Sequence, residues 1–348
     1  MPTNKKSTKQ AGLKEIAKAT GLSMMTVSRV LNQSGPVSTE AKILVEKTAT
    51  KLKYRPNLLV HGIRTGKTQT IGVMIPAYDL FDRYIITGIH DQLVAADHVP
   101  LLLWSNHGDQ GATELEQIHR MLDRRVDAVI IKPKDDAVYD DYFRQVWERN
   151  IPLVVVDREL SNTHADFVGT DDSLGIQMAV EHLLSLGHRH LTFLGLDEQV
   201  VTYHQRRVSF EQATSGKDGV QGVVRQCEPT DLMDSGATIT VLEKYLQEYP
   251  TDKAIVCPQD LMAVNLCKAA KNCGRIIPQH LSVTGYGGMD ILKWIEPALT
   301  TIYQNPYRIG QEAGRVAIAR ATGKMPKNKP YKIRLKPQLI IRESTGKA

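Results

Sequence analysis

The 348-residue chain contains no apolar run near the ~18 residues that a membrane-spanning helix requires, so a helical membrane protein is not expected. Its first residues, MPTNKKSTKQ, are basic and polar with no apolar stretch behind them, so a secretory signal peptide is not expected either. The 4 cysteines, Cys227, Cys257, Cys267 and Cys273, are few for this length and show no CxxC spacing. Buried thiols in a reducing cytoplasm fit them better than disulfides or zinc ligands. Enzyme signatures are missing as well: there is no GxxxxGK[ST], no HExxH and no GxSxG. VTGYGGMD follows an apolar run but lacks the third glycine of a dinucleotide fingerprint, and no acidic residue ends a second strand at the right distance. The grouped His182, His188 and His190 join a helix to a strand, where His188 and His190 fit turn and capping roles better than metal ligation. No catalytic set, metal or cofactor is expected.

What is present is an uneven charge. The net value of +6 hides 13 Lys/Arg against 3 Asp/Glu in residues 1–68, and 31 against 35 in residues 69–348. A basic head of +10 on a body of −4 points to a nucleic-acid-binding module joined to something with other work. At roughly 100–200 residues per domain, the length expects two or three domains.

Residues 1–11 read as a disordered basic tail. From there LKEIAKAT places Leu13, Ile16, Ala17 and Thr20 on one face of a short helix. Gly21 stops it, because the tight turn needs a residue that tolerates positive φ. Ser23 is an N-cap for a second helix, MMTVSRVLN, with Val27, Val30 and Leu31 on its apolar face. A third helix, TEAKILVEKTATKL, follows a cap at Ser38 or Thr39. Three short helices with one tight turn describe a helix-turn-helix domain over residues 12–55. Ala17 is small where the second helix crosses, and Val27 fills the crossing. Met24, Met25, Thr26, Ser28 and Arg29 are left on the start and outer face of the second helix.

These residues, with VS-x-x-A-K after the second helix, YRPN and GIRTGKTQTIGVMIP, resemble the lactose-repressor (LacI/GalR) family of bacterial transcription regulators. The similarity runs nearly the whole chain, and VTGYGGMDILKWIEPALTTIYQNPYRIGQEAG is similar to the sucrose- and trehalose-operon repressor branch. The resemblance implies a recognition helix in the major groove of a palindromic operator. Met24, Met25 and Arg29 would read bases, while Ser23, Thr26, Ser28 and Asn32 would contact phosphates. Arg29 suits guanine O6 and N7; the methionines suit apolar contact such as thymine methyls. Residues 56–68 correspond to the hinge, with Asn57 in the DNA-contacting set and Pro56 in a first helical turn. There the family wedges a leucine into the minor groove, and this chain has Ile63. His61 and Gly62 depart from the Arg/Ser-like residues common at their positions, and Gly62 makes hinge folding more dependent on DNA.

From Ile71 the apolar runs IGVMI, VPLLLW, DAVIIK, PLVVVD, HLTFLG, KAIVC and LSVTGYG alternate with helices at about 81–97, 111–124, 138–150, 173–187, 203–214, 235–249, 260–273 and 306–323. Such alternation means parallel sheets covered on both faces. The expected fold is therefore an all-α head plus an α/β body over residues 69–348, and the resemblance implies that the body is periplasmic-binding-protein-like. By the resemblance the body has two lobes: an N-lobe of about 69–168 and 302–333, and a C-lobe of about 169–301 and 334–348. Crossovers then lie near residues 168, 301 and 334.

Ligands in such sheets bind beyond the carboxyl ends of the strands. Asp82 falls there, as an acceptor of sugar hydroxyls or simply as an acidic residue at a helix start. Arg206 matches the family's effector-binding arginine, against a solvated helix-start role and with Arg207 as the surface alternative. Gln259 offers an amide where the family has Asn, and Asp260 is expected to cap its helix. Asp171 and Asp172 sit at a crossover and read as structural. Where the family commonly has Gly-Tyr/Phe-Asp-Asp, this chain has Gly285, Tyr286, Gly287 and Gly288. That glycine pair is expected to free backbone N–H groups at Gly287 for a bulky or anionic ligand. The implied effector is a sugar or sugar phosphate, with Arg206 and Arg83 facing phosphate. The implied assembly is a homodimer, because IIRESTGKA carries no heptad tail. The rival readings are a periplasmic-type solute receptor and an α/β enzyme with a nucleic-acid-binding appendage.

Overall fold

The computed structural model describes residues 11–32, 34–54, 66–76, 80–104, 114–133, 139–160, 165–195, 201–227, 235–326 and 329–348. Two units result, Met1–Thr68 and Gln69–Ala348. In the first, α1 (Leu13–Thr20), α2 (Met24–Leu31) and α3 (Thr39–Lys51) enclose Ile16, Val27, Val30, Val45 and Ala49. Gly21 takes φ 71°, which lets α1 stop within one residue. The Ser23 side chain accepts the Thr26 N–H, and Ser38 accepts that of Ala41, so α2 and α3 each start on a serine cap. Asn57 and Ile63 lie outside the described residues.

The second unit holds two six-stranded sheets. Its strands are β1 (Thr70–Met74), β2 (Val99–Leu103), β3 (Ala128–Ile131), β4 (Leu153–Val156), β5 (Asp166–Thr170), β6 (His190–Gly195), β7 (Gln221–Gln226), β8 (Ala254–Val256), β9 (Ser282–Gly287), β10 (Thr300–Tyr303), β11 (Lys332–Leu335) and β12 (Gln338–Ile340). The first sheet runs β11-β5-β4-β3-β1-β2, with all its pairs parallel. The second runs β12-β10-β9-β8-β6-β7, parallel except for β10 with β12. The chain passes between sheets after Thr170, after Tyr303 and after Leu335.

The helices are α4 (Leu80–Ala95), α5 (Glu114–Asp123), α6 (Tyr139–Glu148), α7 (Asp172–Ser185), α8 (Val201–Thr214), α9 (Ser235–Glu248), α10 (Asp260–Asn272) and α11 (Pro306–Ala321). Helix α11 follows a second-sheet strand yet buries Ile309, Ala313 and Val316 against Ile85 and Ile89 of α4 and Ile130 of β3. Gly88 and Gly310 make that crossing possible. A Cβ on Gly88 would overlap the Tyr307 carbonyl oxygen, and one on Gly310 the Ile85 carbonyl oxygen. The central strands β3 and β4 of the first sheet are wholly apolar and buried because both faces are covered. Among the described residues, no helix is long and apolar enough to cross a membrane.

Candidate DNA-reading helix and effector cleft

Helix α2 buries Val27 and Val30 and leaves Met24 50% and Met25 65% exposed. Arg29 and Ser23 are exposed too, whereas Thr26, Ser28 and Asn32 are half-buried. Ser23 Oγ lies 2.9 Å from Thr26 Oγ1. The Asn32 amide donates to the Ser28 carbonyl oxygen at 2.7 Å and to Ser28 Oγ at 3.1 Å. The polar residues expected to face phosphate thus also hold the helix ends.

In the body, polar side chains gather where the carboxyl ends of the two sheets' strands emerge. Lys132 directly follows β3. Its Nζ lies 2.7 Å from Asp82 Oδ1 and 2.9 Å from Asp157 Oδ2, and 5.1 Å from the Phe81 ring centroid. Asp82 stands in the first turn of α4 and is buried, so the lysine engages the carboxylate that the sequence offers to ligand. Asp157 follows β4 with φ 64°, a backbone state that Asp tolerates better than most residues. Burial pushes its carboxyl up, but Lys132, Arg206 and Arg158 together outweigh burial and hold it below the ordinary value.

Arg206, on α8, is buried rather than solvated. Its Nε donates to Asp172 Oδ1 at 3.0 Å, Nη1 to the Pro258 carbonyl oxygen at 2.7 Å and Nη2 to Gln304 Oε1 at 3.4 Å. The guanidinium carbon lies 3.9 Å from the Tyr286 ring centroid. Burial works against its charge, but Asp172 and Asp157 outweigh burial and hold its pKa above the ordinary value. Arg207, by contrast, bonds Glu211 one turn on, at 2.8 Å. Asp171 caps α7 by accepting the Leu174 N–H at 3.0 Å, while Asp172 belongs to the Arg206 network.

Two expectations are corrected here. Asp260 does not cap α10; Gln259 occupies the cap position, without a side-chain cap bond. Instead Asp260 Oδ2 accepts the N–H groups of Gly288 (2.6 Å) and Met289 (3.2 Å), and Oδ1 accepts the Thr301 hydroxyl at 2.5 Å. The N–H groups that follow Gly287 are therefore engaged within the protein, not opened toward a ligand. The glycine pair has a local cause: Gly287 takes φ 141° and Gly288 φ 81°, and a Cβ on Gly287 would sit 2.7 Å from Asp260 Oδ2. His188 holds the turn and cap expected of it, its N–H closing the end of α7 on the Leu183 carbonyl oxygen at 3.2 Å; its ring is buried, with Nε2 3.0 Å from Ser282 Oγ and 3.1 Å from the Gly346 carbonyl oxygen, and burial lowers its pKa. No group of three or more His, Cys, Asp or Glu that could hold a metal occurs among the described residues.

The arrangement brings Asp82 and Arg206 into one network, with Gln259 next to Pro258, which Arg206 bonds. Lys132, Asp157, Tyr286 and Gln304 escaped notice as site residues. The available signal for two of them was a charged residue placed directly after a continuous apolar run, AVII-Lys132 and LVVV-Asp157.

Residues 12–57 match the family described as bacterial regulatory proteins, lacI family, and residues 180–345 match the periplasmic binding protein-like domain. The head is thus a lacI-family domain and the body a periplasmic binding protein-like domain, the make-up of a LacI-family regulator. Relatives extend over nearly the whole chain. The HTH-type transcriptional repressor PurR of Pectobacterium carotovorum subsp. carotovorum is 29% identical, covering 97% of each chain. The ribose operon repressor of Halalkalibacterium halodurans is 27% identical, covering 96% of each. The lac repressor dimer bound to operator and the anti-inducer ONPF shares the fold, with a TM-score of 0.81 at 23% identity over 97% of this chain and 100% of that one.

Proposed function

We propose that this LacI-family regulator is a homodimeric, cytoplasmic repressor of a carbohydrate-utilisation operon, released or recruited by an uncharged sugar bound between its lobes. Residues 12–55 carry the operator contacts Ser23, Met24, Met25, Thr26, Ser28, Arg29 and Asn32. Residues 56–68 supply Asn57 and the minor-groove wedge Ile63. Asp82, Arg206 and Gln259, with Gly287 at the end of the neighbouring strand, form the effector set in residues 69–348. The nearly whole-length relatives named as repressors support the repressor role, and the one named for a ribose operon supports the carbohydrate reading.

One observation carries the choice of an uncharged ligand. Asp82, Asp157 and Asp172 face Lys132, Arg158 and Arg206, so the described cleft residues balance three carboxylates with three cations. A phosphate would need a surplus of positive charge, whereas hydroxyl groups can exchange hydrogen bonds with either partner of each pair. Asp260, buried beside the Gly287 loop, adds a further acidic group and no cation, which likewise favours a sugar over a sugar phosphate. A ligand shifts the operator equilibrium only through unequal affinity for the two states of the body.

The test has two parts. Gel-shift titration on palindromic DNA should show sequence-specific binding that weakens steeply with salt. A thermal-shift panel of sugars, sugar phosphates, purine bases and amino acids should show stabilisation by a neutral sugar. Stabilisation confined to a purine base, an amino acid or a phosphorylated sugar contradicts the effector assignment.

A further inference from the structure

One stretch of the acidic body carries no acid at all. Residues 324–336 hold 6 Lys/Arg and no Asp/Glu, whereas the rest of residues 69–348 holds 25 Lys/Arg against 35 Asp/Glu. Of the six cations, Lys327 lies outside the described residues. The stretch leads into and includes β11, which ends the first sheet and pairs, among the described residues, with β5 alone. Ile333 and Leu335 pack against the core of the lobe and fix how the strand faces. The side chains of Lys332 and Arg334 are left 43% and 47% exposed, and they share the single carboxylate of Glu159. Lys324, Lys329 and Lys336 are exposed and bind no carboxylate among the described residues. Tyr331, directly before the strand, is 42% exposed. The backbone is open along the same edge. The Tyr331 and Leu335 carbonyl oxygens accept the N–H groups of Phe167 and Asp171. Peptide groups alternate in direction along a strand, so those of Lys332 and Arg334 point away from β5.

We propose that the open edge of β11 is a docking site for an extended acidic segment of a partner protein. The segment adds to the first sheet as a further strand and sets its carboxylates against Lys329, Lys332, Arg334 and Lys336. An unpaired edge is a template for another strand, and lysines on it repel a second copy of the same basic strand. The charges that exclude this chain's own β11 attract an acidic one. Backbone bonds supply the affinity and alternate side chains the specificity, with Tyr331 as an aromatic anchor. Because one carboxylate serves both Lys332 and Arg334, the partner relieves a surplus of charge and displaces no satisfied pair. Duplex DNA could meet the lysines with phosphates, but it brings no ladder of N–H and C=O groups to the strand edge.

The experiment pans phage-displayed random peptides against the full-length chain and measures synthetic peptides of the enriched sequences by fluorescence anisotropy. Enriched peptides should carry Asp or Glu at alternate positions. The Lys329→Glu/Lys336→Glu double variant should bind them about tenfold more weakly, as when close charge pairs are reversed at an interface. Circular-dichroism melts check that this variant remains folded, as expected for exposed positions. N-methylation of alternate peptide nitrogens keeps the charge and blocks the ladder. Of the two alternate sets, the one facing β11 should abolish binding and the other should spare it. Panning that enriches nothing, or enriches peptides without acidic residues, overturns the proposal. So do acidic peptides that bind the double variant as they bind the wild type. Equal binding of both N-methylated sets overturns it as well, leaving a general polyanion patch that duplex DNA could occupy.

Discussion

The Asp260 carboxylate lies 2.6 Å from the Gly288 amide nitrogen, so the first residue of α10 fixes the loop that leaves β9. Despite this bond and those from Met289 and Thr301, burial pushes the Asp260 pKa up from 3.8 to about 6. A carboxyl raised in the folded state binds its proton more tightly there than in the unfolded chain. The stability this supplies is fully present below about pH 4 and is lost as pH rises through about 6. The wild type should lose on the order of 3 kcal/mol across that window relative to Asp260→Asn. Denaturant midpoints of both proteins between about pH 4 and pH 7.5 check this; parallel profiles would sink it.

Lys132 bridges Asp82 and Asp157, and all three side chains are at least nine-tenths buried. Replacing it with Met leaves two buried carboxylates facing one another without their common cation. Lys132→Met should destabilise the body by about 3–5 kcal/mol, and Asp157→Asn added to it should return part of that loss. Urea titration of the single and double variants tests the pairing. Equal stability of the two would mean that Asp157 does not depend on the lysine.

The contact between α4 and α11 is made by backbone rather than by side chains. Because a Cβ on Gly310 would overlap the Ile85 carbonyl oxygen, Gly310→Ala must force the helices apart. The shift would loosen Ile309, Ala313 and Val316 from the first lobe's core. The expected cost is about 1–3 kcal/mol, against the small gain that alanine normally brings to a helix interior. A stabilised Gly310→Ala variant in thermal denaturation would contradict the close crossing.

The head was legible residue by residue because its rules are local. Gly21 sits where only positive φ allows the turn, and Ser23 and Ser38 cap the helices they precede. The body's alternation of strand and helix was legible for the same reason. Strands β5, β7, β10, β11 and β12 were not, because polar residues interrupt them. Asp166 in β5, for example, is buried with its carboxylate bonded by Arg320, 154 residues on, at 2.6 and 2.8 Å, and by the Tyr331 N–H at 2.7 Å. Lys132 and Asp157 were hidden likewise, since a lysine after an apolar strand looks solvated until the fold brings Asp82 to it. Asp260 shows the opposite error. Its place beside a helix start invited a local capping role, and the tertiary loop of Gly288 won the carboxylate instead.

Arg206 combines three roles that separate substitutions can divide. Its planar guanidinium stacks on Tyr286, forks between Asp172 and Gln304, and reaches the Pro258 carbonyl beside Gln259. Lysine keeps the charge but supplies neither the planar stack nor the fork. Arg206→Lys should therefore fold, hold operator DNA with unchanged affinity, and lose at least tenfold in effector affinity, the value of about 1.4 kcal/mol of lost hydrogen bonding. Arg206→Met should instead destabilise the body, because it leaves Asp172 buried without its cation. Calorimetric titration of effector, with gel shifts in parallel, separates these outcomes. If Arg206→Lys responded to effector as the wild type does, the guanidinium would be a structural brace and the ligand would sit elsewhere.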